Sequence, residues 1–291
     1  MGSSIHFRNK RRYPVANGIF YPDSEESLSN QLSSWGLKKG QSCTSCGGRV
    51  IIAPHGAWDV TGKAGGIAFS SLQMKQNDSG KPVDSIILLA GDPYSDHDGI
   101  FLSESSYFET PLGQIAVDKA KNKKISTCST LIKINDIPHL MEHSIEVLLP
   151  MVKYCFPNAK IVPILISGRK PVLISALARA IRIVFEKDPE NTLFIVSSNV
   201  AQDENPQLAS SMAGDFCALI KKMDSSSFLS CLKEGRISAS GCIPIAALME
   251  SGLLAGKSFS ALCPLSHSMG DLGLTVYYGA FSCNIKTRRE L

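Results

Sequence analysis

The stretch that decides the fold is Asp84-Ser85-Ile86-Ile87-Leu88-Leu89, an apolar run that stops at the turn signal Gly91-Asp92-Pro93. A short run of this kind between turn residues is typical of a strand buried on both faces. Three further runs have the same character: residues 49–53, 160–166 and 192–196. The sequence therefore predicts a central sheet whose middle strands are fully covered.

Segments with helical periodicity lie between these strands. Apolar residues keep to one face of residues 173–186, while two arginines and Glu186 occupy the other. Further helices are predicted over residues 65–75, 141–156, 212–223, 226–233 and 244–254, and closing strands over 258–262 and 272–282. Alternating strands and helices predict an α/β fold in which helices cover both faces of the sheet.

Composition excludes several classes of protein. The 291 residues are 44% hydrophobic and 19% charged, which a disordered chain does not show. A net charge of +4 is too small to indicate nucleic-acid binding. No apolar run reaches the ~18 residues of a spanning helix, so we expect no membrane span.

The nine cysteines are an odd number spread over the whole chain, which favours a reducing, cytoplasmic location over a secreted disulfide scaffold. Cys43 and Cys46 form a C-x-x-C motif. Redox activity and chance placement in a loop are both open readings of that pair.

No linker-like segment divides the chain. We predict a flexible arm over residues 1–12, one domain over 13–285 and a tail over 286–291. In such sheets, sites form in loops beyond the strand ends, which directs attention to the residues after Ala53, after Leu89 and after Val196, and to those before Pro244.

At these places the sequence resembles the Memo family, whose prokaryotic members are called AmmeMemoRadiSam system protein B. The motifs are Val15-Ala16-Asn17-Gly18-Ile19-Phe20-Tyr21-Pro22, Ile52-Ala53-Pro54-His55-Gly56-Ala57-Trp58, Thr110-Pro111-Leu112-Gly113 and Glu142-His143-Ser144-Ile145-Glu146-Val147-Leu148-Leu149-Pro150. They follow the family order along nearly the whole chain. The resemblance implies a single-domain, three-layer αβα sandwich related to the class III extradiol dioxygenases.

The resemblance also implies where a metal would bind: a His in the A-P-H loop, a His in a second loop, and a Cys before a proline. His55 stands at the first of these positions, but Pro93 and Ser240 occupy the other two. In a nearby polar loop, Asn199 and Gln202 replace an Asp and a His.

These replacements remove the donors that a transition metal needs, because proline has no donor atom and a neutral hydroxyl is a poor ligand. Neither Asn199 nor Gln202 can act as a general base near neutral pH. We therefore predict a binding or scaffold member of the family with a vestigial metal cleft, no cofactor, and an unidentified small ligand or protein as its partner.

An alternative keeps metal chemistry. If the loops were shifted, His55, His97 and Cys242 would form a His₂Cys site for iron, copper or zinc and support an oxidoreductase. A third reading, hydrolysis by Ser144 or Ser240 beside His143, lacks a nucleophile elbow.

The predicted pocket is lined by His55, Trp58, Asp92, His143, Glu146, Asn199, Gln202 and Ser240. Within it, His143 and Glu146 would share one helical face, although a buried structural pair is the competing interpretation. Trp58 is assigned either to the pocket wall or to the core. His139 and His267 are expected at the surface.

Overall fold

The computed structural model describes residues 10–40, 48–72, 83–92, 97–186, 192–270 and 273–285. Cys43, Cys46 and Pro93 lie outside these ranges, as does the predicted tail over 286–291. The described strands are β1 (Arg11–Arg12), β2 (Val50–Ala53), β3 (Ser85–Gly91), β4 (Gly99–Leu102), β5 (Tyr107–Phe108), β6 (Ile115–Ala116), β7 (Ile132–Ile134), β8 (Lys160–Ser167), β9 (Thr192–Ser197), β10 (Ala201–Asp203), β11 (Ser260–Ala261), β12 (Ser266–Met269), β13 (Thr275–Tyr278) and β14 (Phe281–Cys283).

The described helices are α1 (Glu25–Ser34), α2 (Trp58–Ser70), α3 (Lys119–Ser126), α4 (Ile137–Met141), α5 (Leu149–Cys155), α6 (Pro171–Phe185), α7 (Pro206–Lys222), α8 (Ser225–Lys233) and α9 (Cys242–Glu250). A 3₁₀ turn, Glu146–Leu148, precedes α5. In the described part of the chain, no helix is both long and apolar enough to cross a membrane.

Eight strands form the main sheet, in the order β11-β14-β2-β9-β3-β8-β4-β7. The four middle strands β2, β9, β3 and β8 run parallel to one another. They are the four apolar runs of the sequence, and the fold-class prediction is confirmed.

Alternate residues of the middle strands enter two different cores. Ile52 and Ile87 pack on one face, against α6, α7, α8 and α9. Ile51 and Ile86 pack on the other, against α1, α2 and α5. This alternation follows from the two-residue repeat of a strand and gives three layers, helix, sheet and helix.

The segment predicted as one helix over 141–156 is instead broken. Glu142 has extended backbone between α4 and the 3₁₀ turn, and its carboxylate accepts the backbone N–H groups of Ser144 and Ile145. Pro150 lies in the first turn of α5, where a proline fits the start of a helix. The prediction that His143 and Glu146 lie on one helical face was therefore wrong.

The boundary of the N-terminal arm also needs correction. Arg11 and Arg12, placed in the arm by the sequence, form β1 beside β5. Arg12 is only 3% exposed and pairs with buried Glu146. A charged side chain can be buried in this way because its partner is an ion of opposite sign.

Candidate functional site

The candidate site lies where three neighbouring strands end. His55 follows β2, Asn199 follows β9 and Asp92 follows β3, and these strands are adjacent in the order β2-β9-β3. Their carboxyl ends lie at one edge because they are parallel. The predicted convergence of these loops is therefore present in the structure.

Two hydrogen bonds of the Ser197 hydroxyl determine which ring nitrogen of His55 carries the proton. The Ser197 Oγ donates to the Ser144 carbonyl oxygen at 2.7 Å, which uses its only proton. The 2.9 Å contact between Ser197 Oγ and His55 Nδ1 is therefore donated by the imidazole. It follows that Nε2 of His55 carries the lone pair.

His55 is held neutral by its surroundings. Burial and, to a smaller extent, the nearby His143 lower the pKa of His55 to about 3. The two imidazole rings meet edge to face with centroids 6.1 Å apart. Burial also lowers the pKa of His143, whose ring packs against Phe20. The pair offers neutral imidazoles to a ligand.

The loops of the site are tied to each other by hydrogen bonds. The His55 backbone N–H donates to the Asn199 side-chain oxygen at 3.2 Å, and the Asn199 backbone N–H donates to the Ser240 hydroxyl at 3.0 Å. A Cβ on Gly91 would lie 2.5 Å from the Ser240 carbonyl oxygen. A glycine is thus required where the β3 end meets the Ser240 loop.

Other predicted pocket residues take structural positions. Trp58 is 3% exposed, donates its indole N–H to the Val147 carbonyl and contacts Tyr21 and Trp35. Glu146 is 1% exposed and points to the N-terminal segment, where Arg12, the Val15 and Ala16 N–H groups and the Tyr21 hydroxyl all donate to it.

Two further predicted pocket residues, Gln202 and Asp92, are held in place by backbone hydrogen bonds. Gln202 is in β10, with its backbone paired to Ser238. Asp92 is 6% exposed, and its backbone N–H donates to the Ile166 carbonyl. No sequence pattern indicates Ser197 as the residue that orients His55; the one available signal is its position at the end of the strand β9.

The comparison with known proteins identifies the family. Residues 12–269 match the family model described as Memo-like protein. The chain belongs to the Memo family. MEMO1 family proteins of Nitrosopumilus maritimus and Methanobrevibacter smithii are 27% and 28% identical to it, each covering 92% of this chain and 98% of the relative. An uncharacterised protein of Escherichia coli K12 covers 80% of this chain and 98% of its own, with a TM-score of 0.48 and 9% identity.

The metal implied by the Memo resemblance does not fit the donors found here. His55 can present Nε2, but the hydroxyl of Ser240, at the thiolate position, accepts a hydrogen bond from Asn199. Pro93, at the second His position, has no donor atom. Across the described ranges, no group of three His, Cys, Asp or Glu residues is placed to hold a metal ion.

The relocated metal site of the alternative hypothesis is not assembled. His97 is exposed, whereas Cys242 is 2% exposed and packs in the core on the α9 side. Burial raises the pKa of the Cys242 thiol to about 12, which disfavours the thiolate that a metal requires. Cys242 is the first residue of α9, and its side chain packs in the core.

Proposed function

We propose that this chain is a non-catalytic Memo-family protein that binds a small ligand or a protein partner in the cleft around His55 and His143, in the reducing environment of the cytoplasm. The observation that carries the proposal is the hydrogen bond from Asn199 to Ser240 Oγ. At the position where the family pattern has a metal-binding thiolate, this chain has a neutral hydroxyl that ties two loops together.

The groups offered by the cleft suit an uncharged, hydrogen-bonding ligand. His55 presents a lone pair at Nε2, and the oxygen of Asn199 is engaged by the His55 backbone, which leaves the amide nitrogen as a donor. The low pKa of His55 keeps the imidazole uncharged. With a pKa of about 3, His55 is also a weak general base near neutral pH.

Titration with Zn²⁺ and Fe²⁺ under anaerobic conditions tests the proposal. The wild-type chain and the His55→Ala variant are compared with a Pro93→His/Ser240→Cys double variant, which restores the two family donors. We expect the double variant to bind about one ion per chain, since a His₂Cys set is a competent zinc site, and wild type to bind no more than His55→Ala.

Stoichiometric binding to wild type that is lost in His55→Ala would overturn the proposal. The double variant is the matched control for the loops, because it shows whether their backbone positions still permit coordination. Circular dichroism of all the proteins confirms that the comparison is made between folded chains.

A further inference from the structure

An apolar patch lies on the surface formed by α4 and the segment that follows β1. On α4, Ile137, Leu140 and Met141 are 73%, 52% and 72% exposed. These three side chains form one outer stripe, since residues three and four positions apart share a side of a helix. In the segment after β1, Tyr13 and Val15 are 64% and 39% exposed. We call these five residues the α4 patch.

The buried guanidinium of Arg12 brings the two parts of the α4 patch together. It donates to the carbonyl oxygens of His139 and Glu142, at 3.0 and 2.8 Å. It also donates to the carbonyl oxygen of Tyr13, at 3.0 Å. Because one guanidinium bonds all three carbonyl groups, the segment after β1 lies directly beside the C-terminal turn of α4.

The fold holds the apolar stripe of α4 toward solvent. The buried His139 points inward from the same helix, and its Nε2 lies within hydrogen-bond distance of the Phe101 carbonyl oxygen. Turning α4 to bury Ile137 and Met141 would break this contact. A second molecule covers the stripe without that cost, and exposed apolar patches of this kind mark interaction sites.

The charged residues next to the patch are engaged within the chain. The three cations before Tyr13 each have a carboxylate partner: Lys10–Glu104, Arg11–Glu109 and Arg12–Glu146. Glu142, which follows Met141, accepts the backbone N–H groups of Ser144 and Ile145. With these charges satisfied internally, the patch favours an apolar partner surface over a charged one.

Exposed polar side chains border the patch. Lys133 and His97 line a cavity of about 460 Å³ together with Ile137 and Met141, and both are exposed. Their polar atoms can stay in water when the patch is covered. An apolar centre with a polar, hydrated rim is the usual anatomy of an interface between two proteins.

The area of the patch matches what a stable dimer needs. With roughly 200 Å² for each large side chain, the exposed fractions of the five residues amount to about 600 Å². A standard interface buries about 800 Å² per partner, and about 65% of a homodimer interface is apolar. The α4 patch therefore supplies the apolar part of one such interface.

We propose that the α4 patch is a self-association surface, on which a second copy of this chain docks with α4 against α4 about a two-fold axis. Such a contact uses the same patch on both chains, so the patch must be complementary to itself. An apolar stripe meets this condition, because the side chains that face each other across the axis are uncharged. The proposal is independent of what binds in the His55 cleft.

Sedimentation velocity of the full chain, from about 1 to 100 μM, tests the proposal. We expect a concentration-dependent shift from the 31.4 kDa chain to a species of twice that mass. The dissociation constant should change less than about threefold between about 0.05 and 0.5 M NaCl, because salt screens charges and not apolar contacts.

Charge-swap variants test the two-fold geometry. Ile137→Glu should weaken the dimer at least about tenfold, since two carboxylates then face each other, and Ile137→Lys should do the same. An equimolar mixture of the two variants should recover dimers, because glutamate then faces lysine. Ile183→Glu is the matched control: Ile183 is 49% exposed on α6, which packs on the opposite face of the sheet from Phe101.

A chain that stays monomeric over the whole concentration range contradicts the proposal, whatever else covers the patch. Unchanged dimers of folded Ile137→Glu, dimers that dissociate as salt rises, and a variant mixture that stays monomeric each overturn it as well. Circular dichroism shows whether the variants are folded. If those at Ile137 are not, Met141→Glu and Met141→Lys take their place with the same expected outcomes.

Discussion

At the scale of single residues, Glu146 links the N-terminal segment to the rest of the molecule. It accepts hydrogen bonds from Arg12, Val15, Ala16 and Tyr21, all at least 125 positions away in sequence. A buried carboxylate with this many donors is stabilised by them, and its removal leaves Arg12 as an unpaired buried charge.

We therefore expect Glu146→Gln to lower the free energy of unfolding by about 3–5 kcal/mol, as for one partner removed from a buried ion pair. Urea denaturation measures the change. The control is Glu25→Gln, because Glu25 and Lys39 are 66% and 69% exposed and 3.9 Å apart, and such a surface pair contributes roughly 0–1 kcal/mol. Equal effects of the two variants would refute the structural role of Glu146.

His139 is the second residue with an effect on stability. Predicted at the surface, it is in fact 2% exposed, and its Nε2 lies 3.1 Å from the Phe101 carbonyl oxygen. Burial lowers its pKa to about 4. The unfolded chain takes up a proton near the ordinary value of 6.5, whereas the folded chain resists it.

Acidification therefore favours the unfolded state. The contribution of His139 to stability is complete above pH 6.5 and is lost as the pH falls from 6.5 to about 4, a change of roughly 3 kcal/mol at 1.36 kcal/mol per pH unit. His139→Gln keeps a donor toward Phe101 and does not titrate. Urea unfolding at several pH values should show a shallower acid dependence in this variant, and an unchanged dependence would contradict the assignment.

Residues such as His139 and Arg12 could not be placed from sequence because their partners are far away along the chain. The Phe101 carbonyl is 38 positions from His139, and Glu146 is 134 from Arg12. The basic run around Arg12 has the composition of a solvated arm. The buried partner of Arg12, Glu146, is found only in the folded structure. By contrast, His55 was predicted because a strand end is a local feature.

At the scale of elements, α2 is packed too closely against Trp35 for a side chain at Gly62. A Cβ at that position would lie 2.2 Å from Trp35 Cη2, and Trp35 is itself packed against Trp58. The glycine is thus required for contact between the end of α1 and the face of α2.

Gly62→Ala should destabilise the protein by about 1–3 kcal/mol through overpacking, despite the better helix propensity of alanine. Gly214→Ala is the matched control, since Gly214 lies in α7 with nothing within 4 Å of the added Cβ. That variant should gain up to about 1 kcal/mol. Thermal unfolding of both proteins checks the opposite signs, and stabilisation by Gly62→Ala would show that Trp35 moves aside freely.

Sequence patterns predict some of these strands and helices and miss others. The apolar runs that became β2, β3, β8 and β9 carry a strong signal because both of their faces are buried. Strands such as β5 and β6 have two residues each, which is too short for a periodic pattern. The segment over 141–156 looked continuous because its apolar spacing persists across the break at Glu142, where the capping bonds are invisible in a pattern of apolar residues.

At the scale of the whole molecule, the parallel order β2-β9-β3 brings His55, Asn199 and Asp92 to one edge. The fold is that of a Memo-family protein, and we propose that Pro93 and Ser240 change the donors of its cleft. The fold and the meeting of these strand ends at one edge were predictable because they follow from the strand pattern. The orientation of His55 by Ser197 depends on a hydrogen bond from Ser197 to the Ser144 carbonyl oxygen. No sequence pattern indicates that bond, because Ser144 and Ser197 lie far apart along the chain.

The most direct test of the central claim, that this cleft has lost its transition metal, is elemental analysis of the full wild-type chain purified from cells supplied with iron, copper and zinc. We expect far less than one metal ion per chain and no difference between wild type and His55→Ala. Near-equimolar iron, copper or zinc in wild type, absent from folded His55→Ala, would contradict the claim.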